Sequence, residues 1–428
     1  MSDDTYNGYL ERMFRLQRFG IKLGLETIGA MLAALGHPEM RLRCIHIAGT
    51  NGKGSVAAML SRILTTAGYT VGRYTSPHLE RFNERICVNE QPIDDAQVVE
   101  ACQRVFAIDD LPRQPTFFEF TTAMALDQFA RQKVQWAVIE TGMGGRLDAT
   151  NILRPALSVI TNISLEHRSY LGDTLAAIAA EKAGIIKQNT PVVSGVRQKA
   201  AKAVIHAQAV TRTAPLFQLG RDFRARRREG DQFDYYGLDH TWRKLLLGLP
   251  GAHQLQNAPL ALAACELLQR TATVAVTEAD VRSGLRETRW PGRLEVVSTE
   301  PYIVLDGAHN LMAARVLGRY LRETFKQRNI TLVVGILDDK PYRSILKDLM
   351  APCHRTIVTQ PKINRAMPAD RLAETARTLS SNVEIVPDVG DAARHAIRTS
   401  RPTDVICVAG SLYVVGEAKT ALADISLS

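Results

Sequence analysis

Ile45-His46-Ile47-Ala48-Gly49-Thr50-Asn51-Gly52-Lys53-Gly54-Ser55 is an apolar run that breaks into a glycine-rich turn, holds one lysine and ends on a hydroxyl. The β-branched residues before the turn favour a strand, and the pattern after Ser55 favours a helix. Glycines at 49, 52 and 54 lack the Cβ atoms that would keep backbone N–H groups away from phosphate oxygens, and the helix adds the positive end of its dipole. Lys53 is then placed to reach the β- and γ-phosphates of a nucleoside triphosphate, and Ser55 to ligate Mg²⁺. The loop departs from the common G-x-x-x-x-G-K-[ST] spacing, because Ile47 stands where the first glycine belongs and Gly54 separates Lys53 from Ser55. A tight turn that needs glycine only for its geometry is the competing reading. The strand before and the helix after favour phosphate.

Working outward, short β-branched runs alternate with helical patterns, the signature of a parallel sheet covered by helices. Strands are expected at 43–48, 70–74, 134–140, 156–161 and 190–195, and helices near 55–67, 117–132, 173–184 and 197–211. A second series begins after Trp290-Pro291-Gly292-Arg293, with strands near 294–298, 302–306, 330–335, 355–359, 383–386 and 404–409. At 428 residues two domains are the default. The fold class is α/β: a P-loop-type domain over 1–290 with a mostly parallel sheet, then a smaller Rossmann-like α/β domain over 291–428. Residues 215–247 form a small antiparallel portion of the first. Its arginines, Arg221, Arg224, Arg226, Arg227, Arg228 and Arg243, with Lys244, stand among aromatics, as in nucleic-acid binders but also as in exposed hairpin strands. The hairpin reading is preferred.

The net charge of +9 comes from 53 basic against 44 acidic residues, which suits anionic small substrates and is too diffuse for nucleic acid. Six scattered cysteines form no C-x-x-C pair and read as reduced core residues of a cytoplasmic protein. The acidic start Met1-Ser2-Asp3-Asp4 lacks an apolar segment, and no uncharged apolar run approaches the about 18 residues of a membrane span. A soluble monomer without membrane or nucleic-acid partners is expected.

Three further strand ends carry chemistry. Glu140 closes the strand before Thr141-Gly142-Met143-Gly144-Gly145-Arg146-Leu147-Asp148-Ala149-Thr150-Asn151, where open α/β sheets place their ligands, and it is suited to hold Mg²⁺ on the phosphates. Thr161-Asn162-Ile163-Ser164-Leu165-Glu166-His167 delivers an imidazole to the same edge, for metal or phosphate. In the second domain Ile303-Val304-Leu305 delivers Asp306-Gly307-Ala308-His309-Asn310, in which Asn310 is a natural N-cap. Arg293, Asp306 and His309 are explained together if that domain closes over the nucleotide. Lys182, near the end of a helix, reads on local grounds as a complement to the helix dipole.

Together with Ser76-Pro77-His78-Leu79, Glu181 through Lys187 and Trp290 through Glu295, these motifs resemble the folylpolyglutamate synthases, members of the Mur ligase superfamily of ATP-dependent amide-forming enzymes. The resemblance runs in order from Arg18-Phe19-Gly20-Ile21-Lys22-Leu23-Gly24-Leu25 to Gly410-Ser411-Leu412-Tyr413. It implies that Gly49, Thr50, Asn51, Gly52, Lys53, Gly54 and Ser55 bind ATP together with Asn257, Arg293 and Asp306. It implies two Mg²⁺ ions, one on Ser55 and Glu140 and a second on Ser76, Glu140 and His167. Lys182 matches a lysine that is carbamylated in the family, which reverses the local reading. Lys53, Lys182 and His309 become the catalytic residues, with His309 the candidate base because deprotonating the glutamate ammonium calls for an imidazole-type group. His309 and Ser411 lie toward L-glutamate.

Arg146 through Asn151 and Thr116-Phe117-Phe118-Glu119 resemble the bifunctional bacterial type, so Thr116, Phe118, Arg146, Asp148 and Ala149 are implied as pterin contacts. The expected activity is ATP-dependent addition of L-glutamate to dihydropteroate, giving dihydrofolate, and to reduced folates, through an acyl phosphate. Polyglutamylation alone, a cell-wall amide ligase and a nucleotide-binding switch are the alternatives. Glu166 stands before His167 where aspartate is more usual, and Arg168-Ser169-Tyr170 follows it as a second departure.

Overall fold

The computed structural model describes residues 5–20, 22, 24–271 and 274–423. The N-terminal Met1-Ser2-Asp3-Asp4, and Ile21 and Leu23 of the first resembling segment, lie outside the described residues. Two compact units divide the chain. The first takes in the chain up to His78, then Asn83–Gly248 and Gln254–Arg289; the second takes in Leu79–Phe82, Leu249–His253 and the chain from Trp290 onward.

The sheet of the first unit is built from β1 (Cys44–Ala48), β2 (Val71–Tyr74), β3 (Ile86–Val88), β4 (Gln91–Pro92), β5 (Trp136–Glu140), β6 (Leu157–Ile160), β7 (Val192–Ser194) and β8 (Leu216–Gln218). Their order is β4-β3-β2-β5-β1-β6-β7-β8. β2 through β8 pair in parallel except at the β2-β3-β4 edge, which is antiparallel. Every residue of β1 and β5 is buried, as continuous apolar runs covered by helices on both faces should be. From β1 the chain goes out to β2, returns to β5 between them, and then crosses to β6 on the other side of β1. The C-terminal end of β1 is therefore the point from which connections diverge, where open parallel sheets bind ligands.

The antiparallel portion expected over 215–247 is smaller than read. β8 adds in parallel to β7, and a separate antiparallel sheet comprises β9 (Arg224–Arg227), β10 (Gln232–Tyr236) and β11 (Thr241–Leu246) in the order β11-β10-β9. Phe233, Tyr235, Trp242 and Leu245 are buried while Arg224, Arg226, Arg243 and Lys244 are exposed, which is the half-solvated alternation of a hairpin sheet. Glu266, buried in the helix Gln254–Arg270, accepts the Tyr235 hydroxyl (2.7 Å) and the backbone N–H groups of Leu238, Asp239 and His240 (2.8–3.1 Å), which fastens the hairpin to that helix.

In the second unit the sheet order is β12-β13-β17-β14-β15-β16, from β12 (Glu295–Thr299), β13 (Tyr302–Asp306), β14 (Ile330–Val334), β15 (Arg355–Val358), β16 (Val383–Ile385) and β17 (Val405–Ala409). All pairings are parallel except β12 with β13. Leu317, Leu332 and Leu349 pack on one face, and Val333, Val408 and Val414 on the other. Among the described residues of the chain, no helix is long and apolar enough to cross a membrane.

Candidate nucleotide and acceptor site

β1 ends at Ala48, and the helix Lys53–Thr66 begins inside the glycine-rich turn. Gly52 adopts φ +82 at the helix N-cap, a left-handed conformation that side chains disfavour, and a Cβ there would lie 2.5 Å from Asn257 Oδ1. A Cβ on Gly49 would collide with Thr161 Oγ1. The strand end of β6 locks the turn: Thr50 N–H donates to Asn162 O (2.9 Å), Asn51 N–H to Asn162 Oδ1 (3.0 Å), and Asn162 Nδ2 and Thr161 Oγ1 both donate to Asn51 O (2.8 and 2.7 Å). Ser164 N–H donates to Thr50 Oγ1 at 3.0 Å. The polar cluster after β6 was read only for His167; its nearer residues shape the turn.

Lys53 folds back over the turn, with Nζ 3.2 Å from Gly49 O and 3.6 Å from Glu140 Oε1 at the end of β5. Glu140 is buried and accepts the backbone N–H of Ser76 at 3.3 Å. Ser55, also buried, accepts from Gln254 Nε2 at 3.4 Å, and Gln254 Oε1 in turn accepts from Asn257 Nδ2 at 2.8 Å. Gln254 was missed by sequence reading. Its position three residues before Asn257 on one helix face is the signal that could have found it.

Lys182, in the helix Leu175–Ala183, is buried and donates from Nζ to Gly49 O at 2.8 Å. Burial, and then the charge of Lys53, lower its pKa from 10.5 to about 7, against the opposing pull of Glu166 and Asp148. His167 stands exposed, at φ +50, where the short helix Arg168–Leu171 begins.

Thr116 caps the helix Phe117–Arg131 reciprocally with Glu119, and Arg113 grips the Glu119 carboxylate at 2.8 and 2.9 Å. Phe118 lies against Gly142, where a Cβ would sit 2.5 Å from its ring. Asp148 is buried with its carboxylate turned inward onto Met143 N–H (2.8 Å) and Thr150 N–H (3.1 Å), so it builds the turn it was expected to lend to a ligand. Burial raises its pKa, and these hydrogen bonds oppose the rise. Ala149 is buried behind it. Arg146 is ion-paired with Glu181 at 2.9 Å on the exposed side.

The second unit holds its own cluster at the ends of β13 and β17. Asp306 accepts Leu294 N–H (2.8 Å) and Ala308 N–H (2.9 Å). Burial raises its pKa, opposed first by the neighbouring Arg293. A Cβ on Gly307 would collide with Arg293 Nη1. His309 Nδ1 lies 2.8 Å from Gly307 O; a carbonyl only accepts, so Nδ1 carries a proton and donates it there. Ser411 is buried at the start of the helix Leu412–Ala423 and accepts Val414 N–H at 3.1 Å.

The oxygens of Glu140, Ser55 and Ser76 suit a hard divalent cation, which takes a few protein oxygens and completes its shell with phosphate and water. An imidazole such as His167 suits Mn²⁺ better than Mg²⁺. Among the described residues, no three His, Cys, Asp or Glu side chains gather into a metal cluster of their own.

Residues 47–265 match the family model described as Mur ligase middle domain, and residues 292–412 match Mur ligase, glutamate ligase domain. The chain is 38% identical over 416 residues to a dihydrofolate synthase/folylpolyglutamate synthase of Bacillus subtilis, covering 95% of this chain and 96% of that one. Its fold matches Escherichia coli FolC in complex with DHPP and ADP, with a TM-score of 0.90, 29% identity and 98% of each chain covered. It also matches a bifunctional folylpolyglutamate synthase/dihydrofolate synthase with Mn, AMPPNP and L-glutamate bound, with a TM-score of 0.88, 30% identity and 98% of each chain covered.

Proposed function

We propose how this chain, which belongs to the dihydrofolate synthase/folylpolyglutamate synthase family of Mur ligases, uses the residues just described. It is an ATP-dependent ligase that joins L-glutamate to dihydropteroate and to folates. The observation that carries this reading is the Lys53–Glu140 pair at the ends of β1 and β5, with Lys182 against the same glycine-rich turn. It sets the Lys53 ammonium and the Glu140 carboxylate where the triphosphate of a parallel-sheet nucleotide site belongs, with the buried amine of Lys182 beside them.

A carboxylate is a poor electrophile and does not condense with an amine in water. One oxygen of the acceptor carboxylate attacks the γ-phosphorus, and the bond from that phosphorus to the β–γ bridging oxygen breaks, releasing ADP and leaving an acyl phosphate. The glutamate nitrogen then attacks the acyl carbon. The tetrahedral intermediate expels phosphate, and the nitrogen loses a proton, to give the amide. Lys53 and the amides of Gly49 through Ser55 steady the negative charge of the transferring phosphoryl group, a matter of positioning and electrostatics. Asn257 contacts the adenine, and Arg293 and Asp306 contribute further ATP contacts. Ser55 and Glu140 hold one divalent cation, and Ser76, Glu140 and His167 a second; when bound, the cations neutralise phosphate charge.

Lys182 is carbamylated. Its pKa of about 7 leaves much of it as the neutral amine, which adds CO₂ and releases a proton to become an anion beside the cation site. His309, its Nδ1–H held by Gly307 O, takes the proton from the glutamate ammonium, and Ser411 contacts the glutamate. Thr116, Phe118, Arg146, Asp148 and Ala149 form the acceptor side, in which Thr116 and Asp148 act through the backbone they hold. A cytoplasmic location is supported by cysteine usage: all six are unpaired, and five are buried.

The test measures ADP release with Mg²⁺, ATP and glutamate, with dihydropteroate or a reduced folate as acceptor, and weighs the products. Release with both acceptors, each product heavier by one glutamate residue, is the expected result. Turnover with the folate alone would limit the enzyme to polyglutamylation. Turnover with neither would overturn the reading.

A further inference from the structure

His46 is fully buried in β1, paired in register with Ile139 of β5 and Ser158 of β6, and nothing in the reaction above uses it. Its Nε2 lies 2.8 Å from Thr150 Oγ1, and Thr150 Oγ1 lies 2.5 Å from Asp148 Oδ1. Among the described residues nothing pairs with His46 Nδ1, so the ring's one proton sits on Nε2 and is given to Thr150 Oγ1, and the threonine gives its own proton to Asp148 Oδ1; the same carboxyl group receives the Met143 and Thr150 N–H groups. The directions are thereby set along the whole chain, from His46 through Thr150 and Asp148 to the backbone of Met143. Burial, and then Lys187, hold the imidazole neutral by lowering its pKa to about 3, so the direction does not reverse at working pH.

The end of this relay matters because of where it acts. Met143 belongs to the segment that leaves Glu140, passes Gly142 against Phe118 and reaches Arg146 beside Glu181. The segment follows directly on Glu140, whose carboxylate faces Lys53 at 3.6 Å, so it borders the place where Lys53 would hold the γ-phosphate. We infer that His46 is a positioning residue for the acid acceptor, which through Thr150 and Asp148 fixes the Gly142–Arg146 wall along which the substrate carboxylate reaches the phosphoryl group. The acceptor role rests on the ligase reading above; the relay itself does not.

Three variants of the full chain test it: His46→Phe, which removes the donor; Thr150→Val, which breaks the relay at nearly constant volume; and His46→Gln, whose amide can donate from a similar position. His46→Phe and Thr150→Val should raise KM for dihydropteroate or folate about tenfold or more, with KM for ATP within about twofold of wild type, and His46→Gln should recover most of the loss. A residue that only fills the core would lower the active fraction, and so kcat, while leaving both KM values in place. That pattern, or a shift in KM for ATP alone, overturns the inference. Amide hydrogen exchange without substrate is the second arm: exchange across 141–151 should quicken in both disruptive variants while 49–55 is unchanged. Unchanged exchange across 141–151 overturns the relay whatever the acceptor. If wild type turns over with neither acceptor, the ligase reading and the acceptor role fall together, and the exchange arm still decides the relay.

Discussion

Replacing Lys182 by methionine keeps the length of the side chain and removes its titration, which makes the electrostatics around the glycine-rich turn measurable. The native pKa near 7 lies below the unfolded value of 10.5. Between those two values the unfolded chain binds more protons than the folded one, so the native state gains stability as pH rises, and carries the full penalty of a buried charge below 7. The gap of about 3.5 units, at 1.36 kcal/mol each, amounts to roughly 5 kcal/mol. Nearly all of it applies at about pH 6 and roughly 2 kcal/mol at about pH 9, so the advantage of the methionine variant should shrink by roughly 3 kcal/mol over that range. Losing the bond to Gly49 O adds an offset of about 1 kcal/mol that hardly depends on pH. Urea unfolding of both proteins in CO₂-free buffer, read from tryptophan fluorescence, measures the difference; Trp136 and Trp242 both lie in the first unit. Carbon dioxide must be excluded because a carbamate no longer titrates as an amine. Parallel stability curves for the two proteins across that pH range would refute the reasoning, whichever protein is more stable.

Gly52→Ala should raise KM for ATP and lower stability by about 1–2 kcal/mol for the left-handed backbone alone, with the displaced Asn257 adding to the KM effect; nucleotide titration and thermal unfolding read the two. Glu140→Gln keeps the Ser76 contact but removes the charge that faces Lys53, and metal titration of ADP release should show an apparent metal affinity weaker by about tenfold or more. His309→Ala should lower kcat/KM for glutamate about a hundredfold, while partial release of ADP from ATP and acceptor alone is spared, because phosphoryl transfer precedes deprotonation of the amine.

What could be read from sequence follows the range of the physics involved. β1, β5, β13, β14 and β17 are buried on both faces, so their apolar runs announce themselves without knowledge of any neighbour. The edge strands β3 and β4 are short, and Pro92 closes the second, so they carry no such signal and went unread. β8 was merged with the antiparallel strands that follow it, because three residues contain no information about which partner they join. The site divides along the same line. Lys53, Ser55 and Glu140 are legible from a turn and a strand end, whereas Gln254 reaches Ser55 across 199 residues and His46 reaches Thr150 across 104. A lone histidine in an apolar strand is indistinguishable from a packed one until its partner is known.

The glycines of the turn show why two readings that seemed to compete were not exclusive. A glycine-rich turn could have been needed for phosphate to approach the backbone, or only for the backbone's own geometry. At Gly49 and Gly52 the missing Cβ admits neither solvent nor ligand in the first instance: it admits Thr161 and Asn257, side chains of the same unit that press against the turn. Asn162 then binds both the N–H and the C=O of Asn51, so the loop's peptide planes are oriented by protein. A loop held in this way loses less conformational freedom when an anion arrives, which is how preorganisation converts packing into affinity. The glycines thus serve geometry and phosphate through one property. Loosening the Thr161 and Asn162 contacts should weaken nucleotide binding even though neither residue is expected to touch the phosphates.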